Sequence, residues 1–203
     1  MGNAEIREPK QKRSIEKKRR IVEAGFKLFC EKGYYNTNTA EIAKEAGVST
    51  GIVYNYFTDK KDIFLDAIRQ YTDGLTKPMY AMMKEIHTPI DLTNLIHQLI
   101  AMFVKSHYIT KSAHEEMMAM AHSDEAVREY FCEFEMNTAK KVVELMEGVG
   151  ITPSNPNEKV HIAMGMIENL CHEIVYHQHD YMNYDTMTEE VVRAVVLMMS
   201  NES

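Results

Sequence analysis

The 203-residue sequence predicts an all-α protein: an N-terminal three-helix unit containing a helix-turn-helix, followed by a larger helical body. Three observations carry this expectation. Apolar residues recur three and four positions apart along most of the chain, the period of an amphipathic helix. Helix breakers are scarce, with 5 Pro and 9 Gly, while 45% of residues are apolar, enough for a folded core. Residues 33–64 alternate caps, apolar stripes and a glycine turn in a way that fits two short helices joined tightly.

Residues 1–13 are polar and lack an apolar period, so they read as a flexible arm. The first helix is expected from Ser14 to Glu31, burying Ile21, Ala24, Gly25, Leu28 and Phe29, with Gly33 as its stop. Lys17, Lys18, Arg19 and Arg20 crowd its opening turns, where cations oppose the helix dipole; they form either a solvated face or a face near phosphate. The second helix opens with Asn38 as N-cap and Glu41 three residues on, a capping box. Ile42, Ala43 and Ala46 face inward and Gly47 ends it. The third starts after the N-cap Ser49 and runs to about Phe57. Val48, Val53 and Phe57 suit its core side, which leaves Thr50, Gly51, Tyr54 and Asn55 outside.

A fourth helix is expected from Lys60, with Phe64, Ile68, Tyr71 and Leu75 at helical spacing. Pro78 should kink or stop it, because its ring crowds the Gly74 carbonyl four residues back. Further helices are expected at about 90–108, 112–121, 124–148, 157–180 and 187–200, separated by Pro, Gly and Asn segments. The expected division is an arm at 1–13, a helix-turn-helix domain at 14–58 and a helical body at 59–203.

The net charge of −7 hides an asymmetry. Residues 1–69 hold 14 Lys/Arg against 10 Asp/Glu, a net of +4, and the remainder carries −11. A basic end suits polyanions, whereas the acidic body should not adhere to them. No run approaches the ~18 apolar residues of a membrane helix, and the start lacks a signal-peptide core, so the chain reads as cytoplasmic with no membrane partner. Cys30, Cys132 and Cys171 are widely spaced and form no metal-binding pattern, so they read as reduced thiols.

Several residues of the helix-turn-helix have physical reasons to touch DNA. Thr37, Asn38 and Thr39 stand at a helix N-terminus, where free N–H groups favour an anion. Lys60 stands at another helix start, a poor place for a cation unless phosphate is near. Gly51 allows close approach, and Asn55 has an amide that pairs with adenine. Solvated polar residues on a helical hairpin are the plain alternative.

The stretches GYYNTNTAEIA at 33–43 and AGVSTGIVYNYF at 46–57, with the following Lys60, resemble the tetracycline-repressor (TetR) family of transcriptional regulators. The resemblance covers about a quarter of the chain, and both order and spacing match. It implies phosphate contacts at Tyr54 and Lys60, and backbone contacts where Asn38 and Thr39 open the second helix. It implies base reading by Thr50, Gly51, Ile52 and Asn55, with Ser49 beside them, and base or phosphate contact at Tyr56. Ala40 stands where some relatives carry a base-reading arginine, so that contact is lost. Thr39 replaces a more usual apolar residue, which makes a phosphate contact there more plausible.

The resemblance further implies a homodimer joined through the last two long helices, with its two readers ~34–36 Å apart. Val160, Ala163, Met164, Ile167, Leu170, Cys171 and Ile174 form one candidate seam stripe, and Val191, Val195, Met198 and Met199 another. Met102, Phe103, Met117, Tyr130 and Phe134 are candidates for an effector pocket, since methionine packs adaptably around apolar ligands, although such a stripe also suits a plain core. Glu115, Glu116, Glu135 and Glu168 would offset a cationic ligand. Glu168, His172, Tyr176 and His179 recur on one helical face, with His177 nearby. They read as a satisfied Glu–His pair at the seam, as pocket lining, or as part of a metal site, but spacing fixes no third ligand, so no metal and no cofactor is assigned.

The leading expectation is a homodimeric regulator, a repressor released from a double-stranded DNA operator by an unidentified small-molecule effector. The fourth helix would transmit the change, with Gly74–Pro78 as its compliant point. A DNA-binding module governed by a protein partner or used architecturally, without a small-molecule ligand, is the alternative. No nucleophile–base constellation supports an enzyme.

Overall fold

The structure, a computed structural model, describes residues 12–86, 89–109 and 111–200. Its described residues are helical with no strand, so the all-α expectation holds. The expected arm lies outside the described residues except for Lys12 and Arg13, which belong to the first helix.

Chain contacts divide the protein into two units. One takes the chain through Asp73 together with Ser112–Val127; the other takes Gly74–Lys111 and the chain from Arg128 onward. The first unit therefore extends well beyond residue 58.

The first unit begins with helix α1, Lys12–Lys32, which buries Ile21, Val22, Ala24, Gly25, Leu28 and Phe29. Gly33, at φ +81, turns the chain out of it. Helix α2, Thr39–Glu45, has the expected capping box: the Asn38 side chain accepts from the Glu41 amide at 3.0 Å, and a Glu41 carboxylate oxygen accepts from the Asn38 amide at 3.3 Å. Gly47, at φ +66, makes the turn into helix α3, Thr50–Val53. That helix is shorter than expected. Its i→i−4 ladder gives way to tighter bonds, from the Asn55 amide to Ile52 and from the Tyr56 amide to Val53, so the stretch to Phe57 is a turn.

Helix α4, Lys60–Lys84, starts behind Asp59, whose carboxylate accepts the amides of Lys61 and Asp62. It runs through Pro78 without stopping, because a proline removes one donor and tilts a helix but does not forbid its continuation. Ile63, Phe64, Ala67 and Ile68 from its first half join Ile42, Val53 and Phe57 in the core of the first unit. Phe29, Tyr34 and Phe64 form an edge-on aromatic group, with Phe64 centroids 5.1 Å from each of the other two. Helix α6, Lys111–Ser123, adds Met117 and Met120 to the buried set of this unit.

In the second unit, helices α5 (Leu92–Ile109), α8 (Pro156–Val175) and α9 (Tyr184–Met199) pack on one another. Helix α7, Glu125–Gly148, adds Ala139, Val143 and Met146 to their core. Helix α8 ends at Val175 rather than near 180; beyond it the Gln178 side-chain amide donates to the Ile174 carbonyl. Helix α9 starts earlier than expected because Asn183 is its N-cap, accepting from Thr186. Val160, Ala163, Ile167, Leu170, Cys171, Val195 and Met199 are buried within this unit, and Met164, Ile174, Val191 and Met198 pack against its core. Most of the two stripes expected to form a dimer seam is thus covered by the protomer's own interior.

Candidate nucleic-acid interface

The presented face of the helix-turn-helix is built on anchors behind it. Val53 is fully buried and Phe57 nearly so, which fixes the roll of α3. Ser49 caps α3, its hydroxyl accepting from the Ile52 amide at 3.4 Å. Ala46, at the C-cap of α2, offers its carbonyl to the Arg20 guanidinium, which also lies against Gly47. Arg20 thus ties α1 to the turn, and a Cβ at Gly47 would collide with it.

With that side fixed, Gly51, Tyr54 and Asn55 are exposed, and Thr50 and Ile52 are partly so. Tyr54 is 51% exposed. A Cβ placed on Gly51 would meet nothing within 4 Å, so nothing inside the chain demands glycine there. The Tyr56 hydroxyl lies 2.8 Å from Ser14 Oγ, which holds its ring toward α1. Asn38 is exposed and Thr39 partly so at the start of α2.

Two of the residues expected at DNA have other roles. Thr37 is 1% exposed; its hydroxyl donates to the Gly33 carbonyl at 2.9 Å, with Leu28 O at 3.3 Å, so it fastens the loop and cannot reach a ligand outside. The Lys60 ammonium donates to the carbonyls of Tyr34 at 2.8 Å and Thr37 at 2.9 Å and lies 4.4 Å from the Tyr34 ring centroid. The cation at this helix start is thus explained by loop carbonyls, a partner that sequence spacing does not reveal.

The basic opening of α1 is largely paired inside the chain. Arg19 bonds Glu16 at 2.6 Å and Glu23 at 2.5 Å, and Lys18 meets Asp66 at 2.7 Å. The hydrogen bond from Arg19 holds Glu16 below the usual carboxylate range. Glu41 is held low mainly by Lys32, then by the Asn38 amide.

The expected effector residues are divided between the two units. Met117 lies in the first unit, 2% exposed, beside a cleft lined by Phe26, Phe29, Cys30, Phe64 and Glu116 with room for about one water. Glu116 of the same unit accepts from the Tyr34 amide, so its carboxylate already has a structural use. Met102 and Phe103 pack partly buried against the core of the second unit. Tyr130 and Phe134 stack with centroids 6.3 Å apart on α7.

Glu168 and His172 on α8 do come together with Tyr176 at its C-cap, and α5 adds His107, which spacing alone did not single out. Glu168 Oε1 lies 3.2 Å from His107 Nε2 and 3.6 Å from His172 Nε2. The rings of His172 and Tyr176 are 4.9 Å apart. Burial works to lower the His107 pKa, but the Glu168 hydrogen bond and charge outweigh it and hold it above the usual histidine value. His179 lies beyond α8, paired instead with Glu173 at 3.6 Å. The available signal for His107 was a histidine one turn after the apolar run Leu99–Val104 on the same helix.

Residues 21–67 match the model of the bacterial regulatory proteins, tetR family. Over 76 residues the chain is 37% identical to the HTH-type transcriptional regulator HbdR of Aromatoleum sp. (strain CIB), covering 37% of this chain and 33% of that protein. It is 34% identical over 76 residues to the fatty acid metabolism regulator protein of Bacillus subtilis (strain 168), covering 37% and 38%. The chain thus spans only about a third of the length of these relatives. The fold is shared more widely: a transcriptional regulator of Aquifex aeolicus VF5 superposes with a TM-score of 0.63 at 22% identity, covering 89% of this chain and 98% of that one. No described helix is long and apolar enough to cross a membrane.

Proposed function

We propose that this chain, whose residues 21–67 form a regulatory domain of the tetR family, is a homodimeric transcriptional regulator that binds an operator through α3 and is released by a small-molecule effector. The observation that carries the reading is the anchored α3, with Val53 buried and Gly51, Tyr54 and Asn55 turned outward. Thr50, Gly51, Ile52 and Asn55 would read base edges in the major groove; Tyr54 and the exposed start of α2 at Asn38 and Thr39 would meet phosphate. Ser49 and Tyr56 contribute mainly by positioning, through the cap on Ile52 and the bond to Ser14. Lys60 and Thr37 support the reader from behind.

Pairing of two copies would use the outer faces of α8 and α9. Ile162 is 53% exposed and Leu197 76% exposed, on helices whose opposite faces are already buried. Helix α4 is the natural transmitter, since both units contribute residues to it.

Selection of bound sequences from random duplex DNA tests the reading. The wild type should return a two-fold symmetric site, and Asn55→Ala should relax preference at one position in each half, for a loss of ~1–3 kcal/mol of discrimination. Recovery of no preferred sequence by the wild type would overturn it.

A further inference from the structure

We propose that His107, Glu168 and His172 form a binding site for one divalent transition-metal ion, with zinc the best fit. These three residues all belong to the second unit, and the proposal does not depend on the DNA-binding reading. Glu168 and His172 are one turn apart on α8, and His107 comes from α5, which packs against it. An i, i+4 Glu–His pair is ordinary on its own. The third residue and its orientation are what distinguish this one.

His107 is 1% exposed, and its Nδ1 lies 2.9 Å from the Phe103 carbonyl. A carbonyl only accepts, so Nδ1 carries the proton. Nε2 then faces Glu168 Oε1 at 3.2 Å, a pairing that either a proton or a metal ion held between the two atoms satisfies. The Phe103 carbonyl is the kind of outer partner that fixes the tautomer of a metal-binding histidine.

The spacing fits a metal ion. Ligands at the usual zinc distances of ~2.0–2.1 Å sit ~3.3 Å apart at the corners of a tetrahedron. Here Glu168 Oε1 is 3.2 Å from one imidazole nitrogen and 3.6 Å from the other, and the three ligand atoms lie within 4.8 Å of one another. Two imidazoles and one carboxylate are borderline donors, which suit zinc, nickel or cobalt better than magnesium or calcium. Side-chain exposures of 48% at Glu168 and 31% at His172 leave both ligands within reach of an ion arriving from solvent.

The test uses the full chain, stripped with a chelator and titrated with zinc sulfate against a chromophoric competitor. One ion should bind per chain, and Glu168→Gln and His172→Ala should each weaken binding at least about tenfold. Both residues are partly exposed, so the variants should fold, which circular dichroism verifies. His177→Ala and His179→Ala, past the end of α8, should bind as the wild type does. Cobalt in place of zinc should give the visible absorption of a four-coordinate site, lost in both ligand variants. Zinc affinity unchanged in Glu168→Gln and His172→Ala, or no stoichiometric binding by the wild type, would overturn the proposal.

Discussion

The Lys60 ammonium donates a 2.9 Å hydrogen bond to the main-chain carbonyl of Thr37, the residue just before the N-cap of α2. A second bond, 2.8 Å to the Tyr34 carbonyl, means that one cation at the start of α4 holds the loop between α1 and α2. Lys60→Met keeps the aliphatic stem and removes the donors. It should lower stability by ~1–2 kcal/mol, as expected for partly exposed charged hydrogen bonds. DNA affinity should fall only as far as the loop loosens, with its salt dependence unchanged. A direct phosphate contact would instead lower the salt slope by ~1. Urea unfolding and a salt series of binding measurements decide it; a fully stable variant with a shallower slope would return Lys60 to the DNA.

Cys30 and Cys132 should differ sharply toward alkylating reagents. Burial, then the nearby charges of Glu116 and Glu31, push the Cys30 thiol up to about 11. Cys132 is exposed. The thiolate is the nucleophile, so at pH 8 Cys30 offers only ~0.1% of its population. Peptide mass spectrometry after brief iodoacetamide treatment should show Cys132 modified and Cys30 spared, with Cys30 labelling only as the pH rises toward 11 or the protein unfolds. Equal labelling at pH 8 would mean that the pocket around Cys30 is open.

The first unit was legible because its signals are local. The capping box of Asn38 and Glu41, the turn at Gly47 and the buried stripe from Ile21 to Phe29 each follow from residues a few positions apart. The loop-fastening roles of Thr37 and Lys60 were hidden for the opposite reason. Their partners are carbonyls, which every residue has, so no side-chain pattern reveals that Lys60 reaches back 26 positions to Tyr34. In the body, the stripes on α8 and α9 were read correctly as apolar, and most of their residues are covered by the protomer itself. Periodicity identifies a buried face without saying whether the same chain or a second copy covers it. The α5 histidine beside Glu168 was hidden because its sequence separation is 61.

Gly25 marks a close crossing of α1 and α4. A Cβ there would lie 2.6 Å from Ile63 Cγ2, a methyl on a stiff β-branched side chain that is itself fully buried. Gly25→Ala gains ~1 kcal/mol of helix propensity but meets an overpacking cost of ~1–3 kcal/mol. The net effect should be a modest loss of stability. Ile63→Ala removes the clashing methyl, so the double variant should be more stable than the sum of the single effects implies. Strict additivity in a double-mutant cycle would show that the two helices separate freely.

A dimer seam on the outer face of α9, as proposed, would separate two kinds of position on that helix. Val195 is 1% exposed and belongs to the protomer core, whereas Leu197, two residues on, is 76% exposed. Val195→Glu would bury an uncompensated carboxylate, at a cost of several kcal/mol, and should unfold the second unit whatever the oligomeric state. Leu197→Glu places its charge in water when the chain is alone and in apolar contact only when two copies meet. It should therefore fold as the wild type does, sediment as a monomer and bind a symmetric operator far more weakly, because each half-site then binds independently. Ile162→Glu on α8, at 53% exposure, should behave in the same way. Sedimentation velocity with circular dichroism reads both properties. A folded dimer in both Leu197→Glu and Ile162→Glu would place the seam on another face, and a folded monomer in Val195→Glu would show that this residue does not support the core.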